Sequence, residues 1–132
     1  MTDHLHPVLD DAAIARMTSL ALAHVGDAVY EILACGGTQT AKNLHSRTIQ
    51  LVRASAQAEA VKRIQPMLDE DEQTVLRHGR NAKPKSVPKS ASVAEYAYAT
   101  ALEALFGWLY LKGRYERINE LFEVICQGFD AK

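Results

Sequence analysis

A carboxylate set inside an apolar helical segment is the strongest constraint on this chain. Leu20 to Glu31 reads Leu-Ala-Leu-Ala-His-Val-Gly-Asp-Ala-Val-Tyr-Glu, so Asp27 stands among Val25, Gly26, Ala28 and Val29. An aspartate with such neighbours is expensive to bury unless it is paired or bound to a metal. The spacing predicts a helix from a Thr18 or Ser19 cap to about Cys35, stopped by Gly36-Gly37. Leu22, Val25, Val29, Ile32 and Leu33 surround much of it, and Asp27 and Glu31 share one side. Such a helix belongs at the centre of a bundle or at a dimer seam, and Gly26 permits another backbone to approach.

The remaining periodicity is helical throughout. Residues 1–9 read as a loose lead-in, followed by a short helix from Asp10 or Asp11 to about Met17. A helix or turn is expected over Thr40–Ser46 and a longer helix over Thr48–Ile64, ended by Pro66. The block Asp69-Glu70-Asp71-Glu72 suits the first turn of the next helix, as macrodipole electrostatics on a solvated face. Residues 79–92, with two prolines and four Lys/Arg, read as a basic loop. Ser92 with Glu95 gives the capping-box pattern for a helix to about Leu111, broken by Gly113. A final amphipathic helix, Tyr115 to about Gln127, turns Ile118, Leu121, Phe122 and Ile125 inward and Glu116, Glu120 and Glu123 outward. No alternating strand pattern interrupts this series, so the expected class is all-α, a helical bundle in one domain over residues 1–132.

Bulk properties narrow the setting. Hydrophobic residues make up 48%, with no run long enough to span a membrane, and the start with Asp3, His4 and His6 is neither a signal peptide nor a transit sequence. A cytoplasmic protein is expected. Cys35 and Cys126 form no metal-binding pattern and are expected to be buried, reduced thiols. Net charge is −1, but residues 42–89 hold ten Lys/Arg against five acids, four of these in the single acidic block. The basic charge is therefore local.

Glu103 is the second candidate for chemistry, because apart from Glu95 near the cap it is the only charge from Val93 to Leu111. Taken alone, a buried carboxylate satisfied by Arg, Lys or a hydroxyl would account for it. Two carboxylates facing each other from separate helices could instead hold Mg²⁺, with Mn²⁺ as a substitute, since such ions take oxygen ligands and keep several waters.

Gly26-Asp27-Ala28-Val29, with the apolar residues before it, resembles the signature helix of the ribonuclease III family, in which the Asp is a metal ligand. Tyr98 to Tyr110 is similar to that family's second catalytic helix, with Glu103 at the ligand position. Further resemblance lies in Asn43-Leu44-His45, in Ala54 to Ala58, and in Leu76 to Lys85, so that it covers roughly residues 18 to 125. The match is nearest the short branch called Mini-ribonuclease III, which consists of the catalytic domain alone, without a double-stranded RNA-binding domain. Leu20, Ala23 and Thr100 stand where the larger enzymes carry additional acids, a departure that this branch shares.

The resemblance implies a two-fold homodimer that hydrolyses double-stranded RNA with Mg²⁺ at Asp27 and Glu103. Its implied products are a 5′-phosphate and a 3′-hydroxyl. The implied substrate is the precursor of large-subunit (23S) ribosomal RNA, and the sequence names no accessory ribosomal protein. Arg77, Arg80, Lys83, Lys85 and Lys89 are the candidate RNA contacts, because no acid lies between Gln73 and Ala94 and an A-form duplex is read mainly by shape and phosphate. A solvated loop is the plainer account of the same charges. Asn43, His45 and Arg47 have capping or buried hydrogen bonding as sufficient explanations, and Glu31 is best read as the partner of a basic group. His24 reads as a hydrogen-bonded helix residue, and Ser55 and Gln57 resemble family residues without a derivable role. Tyr96, Phe106, Trp108 and Tyr110 fall at helical spacing and read as packing, not base stacking. Two other functions are set against the nuclease: a non-catalytic RNA-binding dimer, and a nucleotide pyrophosphohydrolase suggested only by the spacing of Glu116, Glu120 and Glu123.

Overall fold

The structure, a computed structural model, describes residues 1–36, 49–82 and 92–130. Regular structure among the described residues is helical: α1 (Asp11–Ala15), α2 (Ser19–Cys35), α3 (Ala54–Ile64), α4 (Glu70–Asn81), α5 (Val93–Leu111) and α6 (Tyr115–Asp130). A 3-10 turn covers Gln65–Met67, and residues 49–52 form one further helical turn. The all-α expectation is met by the described residues, none of whose helices is long and apolar enough to cross a membrane.

Caps set the helix starts. Thr18 Oγ1 accepts from the Ala21 N–H at 3.1 Å to open α2, and Ser92 and Glu95 form the expected capping box on α5. Asp69 and Glu72 form a second one on α4. Each satisfies N–H groups that a helix start leaves without partners.

The core is built around α5, which packs against α2, α3, α4 and α6. Ala101, Leu102, Ala104, Leu105, Phe106 and Leu109 are all fully buried, as expected of a helix that is apolar on nearly every side. Tyr30 of α2 lies edge-on to Phe106 and Phe122, with centroids 5.5 and 5.7 Å apart, joining α2 to α5 and α6. The lead-in docks on the same end of the core: Leu9 N–H donates to Leu111 O at 2.9 Å and Lys112 Nζ to Asp11 Oδ1 at 2.8 Å.

Several expectations are corrected. The helix proposed for Thr48–Ile64 is broken at Arg53, whose backbone is extended (φ −66, ψ 150). In one continuous helix Leu51 and Gln57 would point about 120° apart, and with the break both are buried. The segment placed in a loop from Gly79 is helical to Asn81, because Gly79 lies against α5, where a Cβ would come within 2.8 Å of the Ala101 Cα. Glu72 is not on a solvated face. It is 1% exposed, held by Arg117 of α6 through Nε to Oε2 and Nη2 to Oε1, both at 2.8 Å. Burial pushes the Glu72 carboxyl up, but the Arg117 hydrogen bonds and charge and the Asp69 N–H outweigh it and hold the group below its ordinary range. Cys35 is exposed and Cys126 half-buried, so the reading of two buried thiols fails at Cys35.

Candidate active site at the crossing of two helices

Helices α2 and α5 come together backbone on backbone. A Cβ placed on Gly26 would sit 1.6 Å from the Glu103 carbonyl oxygen, and one on Gly107 would sit 2.0 Å from the Leu22 carbonyl oxygen. Helices α2 and α5 therefore meet through two glycines, each of which costs about 1 kcal/mol of helix propensity relative to alanine. The approach they allow delivers chemistry: the residue after Gly26 is Asp27, and the backbone that Gly26 touches is that of Glu103.

The two carboxyl groups consequently face each other, close enough to share a hydrogen bond when one is protonated. Burial first, then the charge of Asp27 and that shared hydrogen bond, push Glu103 up to about 8. Gln57 of α3 opposes the rise, and the charge of Glu31 adds to it. Among the described residues neither Asp27 nor Glu103 has a Lys, Arg or His ion-pair partner. The reading of Glu103 as a carboxylate neutralised by a basic group is thus not supported.

Asp27 is exposed and Glu103 half-buried, so the cost foreseen for burying Asp27 falls instead on Glu103. One exposed and one half-buried carboxylate, mutually repelling and without a basic partner among the described residues, suit a hard divalent ion that takes oxygen ligands and retains water. No group of three or more His, Cys, Asp or Glu is arranged to hold a metal among the described residues, so water or substrate oxygens would complete the shell. Glu31 is exposed and has no ion-pair partner among the described residues, contrary to the expectation of a basic one. His24 is exposed, and neither it nor Glu31 belongs to a metal-holding group of that size.

The candidate RNA contacts are only partly placed. Arg77 and Arg80 are exposed on α4 and line a cleft of about 150 Å³ with Gln65, Gln73 and Tyr98. Lys83, Lys85 and Lys89 lie outside the described residues, as do Asn43, His45 and Arg47. A larger cleft of about 700 Å³, bounded by Tyr30, Arg53, Arg63 and Phe129, lacks both Asp27 and Glu103. Its size does not make it the site of chemistry.

Phe106 and Trp108 are buried, with Lys112 Nζ 4.8 Å and Arg114 Cζ 5.0 Å from the Trp108 ring, so packing accounts for them. Sequence reasoning singled out Gln57 without finding it a role beside Glu103, and it missed Gly107 opposite Leu22. The only advance signal for Gly107 was a glycine inside an otherwise apolar helix, four residues after Glu103.

Comparison with known proteins gives the family of the chain. A family model described as Ribonuclease III domain matches residues 20–114. The Mini-ribonuclease 3 of Thermoanaerobacter sp. (strain X514) is 40% identical over 125 residues, covering 91% of this chain and 88% of that protein. That of Symbiobacterium thermophilum is 45% identical over 109 residues, 79% of this chain and 84% of that protein. A crystal structure of a Fusobacterium nucleatum protein superposes with a TM-score of 0.76 at 30% identity, covering 83% of this chain and 93% of that one.

Proposed function

The chain belongs to the ribonuclease III family, in its Mini-ribonuclease 3 branch, and from that membership we propose that it is an endoribonuclease cutting double-stranded RNA at Asp27 and Glu103. The observation that carries the site is the backbone crossing at Gly26 and Gly107, which sets these two carboxylates face to face with no basic partner among the described residues.

Asp27 and Glu103 would hold Mg²⁺, with Mn²⁺ as a substitute. Bound there, such an ion polarises a phosphodiester and lowers the pKa of a water for in-line attack. The two facing carboxyls repel when both are ionised, and a divalent cation would relieve that repulsion in place of the proton that Glu103 holds in its absence. The half-buried Glu103 limits bulk water on one side, and the exposed Asp27 leaves the other open to a ribose-phosphate chain. The proposed products are a 5′-phosphate and a 3′-hydroxyl.

Arg77 and Arg80, with Lys83, Lys85 and Lys89 of the adjoining segment, are the proposed phosphate contacts. We assign the active unit as a homodimer. Two sites related by a two-fold axis would each meet one strand of an antiparallel duplex, and Leu20 and Ile32 are apolar side chains that α2 leaves exposed. Branch membership further supports a cytoplasmic setting and the stem joining the ends of precursor 23S ribosomal RNA as substrate.

The test is cleavage of a long RNA duplex and of its separate strands by the purified chain, with Mg²⁺ or with EDTA, beside Asp27→Asn and Glu103→Gln. Metal-dependent cutting of the duplex alone is expected, falling at least 100-fold in either variant. Near-normal rates in both variants would remove these residues from the site. A duplex bound but left intact in every metal would make the chain a non-catalytic binder.

A further inference from the structure

Gln57 is 2% exposed on α3, on the side of the helix that also buries Ala60, Val61 and Ile64, and its Nε2 makes no hydrogen bond. A buried donor without a partner is a cost that an apolar side chain of similar volume would avoid. Its placement suggests what the cost is for. Both α2 and α3 pack on α5, so Glu103 stands between Asp27 from one helix and Gln57 from the other. The Gln57 side chain lies close to the Glu103 carboxyl, yet its Nε2 is left without a hydrogen bond there.

Tyr30 is the other buried polar group nearby whose hydroxyl has no partner. Its ring, however, is fixed by Phe106 and Phe122, and the charge that bears most on its hydroxyl comes from Cys126, ahead of Glu103. Gln57 therefore carries the inference.

We propose that Gln57 is a positioning residue: when a divalent cation binds, its amide N–H, without a partner in the metal-free protein, donates to the Glu103 oxygen turned away from Asp27, fixing that carboxylate and leaving its other oxygen for the cation. This rests on the reading of Asp27 and Glu103 as metal ligands. A neutral donor suits the role better than Lys or Arg would. It orients the carboxylate without cancelling the charge that draws the metal in, and it does not titrate.

The test is Mn²⁺ binding to the purified full chain without RNA, by calorimetry, for Gln57→Leu, Gln57→Asn and Glu103→Gln, with melting temperatures in EDTA. Gln57→Leu is expected to raise the Mn²⁺ Kd about 10-fold or more while melting no lower than the parent, since it removes an unpartnered buried donor. Gln57→Asn keeps the amide but falls one methylene short, and is expected to weaken Mn²⁺ binding similarly. It also serves if the Leu variant does not fold. A Kd within about twofold of the parent in the folded variants would overturn the proposal, as would lost binding accompanied by a lower metal-free melting temperature in both. Glu103→Gln separates the two levels. If it binds Mn²⁺ like the parent, the ligand reading falls and takes the proposal with it. If it loses Mn²⁺ while Gln57→Leu does not, only the role of Gln57 is wrong.

Discussion

Replacing Gly26 by Ala tests the crossing that the site depends on. The added Cβ would lie 1.6 Å from the Glu103 carbonyl oxygen and 2.9 Å from the Gly107 nitrogen, both backbone atoms that no rotamer change can move. Restoring a carbon–oxygen contact of roughly 3.3 Å would part α2 and α5 by about 1.7 Å. Leu22, Ala23, Val29, Tyr30, Leu102 and Phe106 would then lose close packing near this seam. Overpacking a tight core costs about 1–3 kcal/mol and more where backbone must move. A loss of about 3 kcal/mol corresponds to roughly 10 °C in melting temperature for a chain of this size. Asp27 would shift against Glu103 by the same displacement, and about 1 Å of misplacement is enough to cost about 100-fold in rate. Thermal unfolding and duplex cleavage at saturating Mg²⁺ read the two effects. Gly36→Ala, whose Cβ meets nothing nearer than 3.4 Å, is the control and should change stability by less than about 1 kcal/mol. A Gly26→Ala protein that melts and cleaves like the Gly36→Ala control would refute the crossing as the device that assembles the site.

Three further outcomes follow from the same geometry. Because the Glu103 carboxyl is raised to about 8 in the folded chain, the native state holds its proton where the unfolded chain has released it. Metal-free stability should therefore fall as pH rises from about 4.5 to about 8, and urea unfolding in EDTA should show that Glu103→Gln flattens the decline; equal slopes would contradict the burial of this group. Arg117→Ala strands the buried Glu72 and removes a donor from Met67 O at 2.7 Å, so a loss of about 3–5 kcal/mol is expected in denaturant unfolding, and a loss below about 1 kcal/mol would show that Glu72 finds water. Arg77→Ala combined with Arg80→Ala should weaken duplex binding and reduce the slope of log K against log salt by about 2, whereas an unchanged slope would take α4 off the RNA surface.

Local chemistry was legible in the sequence and distant pairing was not. The Ser92 and Glu95 capping box, the stop at Pro66 and the inward residues of α6 each depend on a few neighbouring positions, and they stand as read. Asp27 and Glu103 could be singled out because a charge is conspicuous in an apolar helix. What Asp27 experiences could not be read, since its exposure depends on how α2 lies against α5. The tie between Glu72 and Arg117 spans 45 positions, and nothing near Glu72 distinguishes it from Asp71. The break at Arg53 carries no Gly or Pro and shows no side-chain cap, so no local signal marks it. Gln57 resembles a family residue in the sequence, but its burial near Glu103 shows only when α3 and α5 are packed together.

The order in which the ribosome delivers these pieces follows from α5 lying so late in the chain. When α2 emerges, the helix it must pack against is still unmade, and at roughly 5–20 residues per second several seconds pass before Glu103 is added. The lead-in waits longer still, because its backbone bond is to Leu111 and the salt bridge of Asp11 is to Lys112. A nascent chain stalled before residue 93 would thus present the apolar side of α2 to water or to a chaperone, and one released after residue 112 has the α5 face that most of that side requires but still lacks Phe122, which packs on Tyr30. Folding of this protein is accordingly tied to the completion of α5 and cannot proceed helix by helix from the N-terminus.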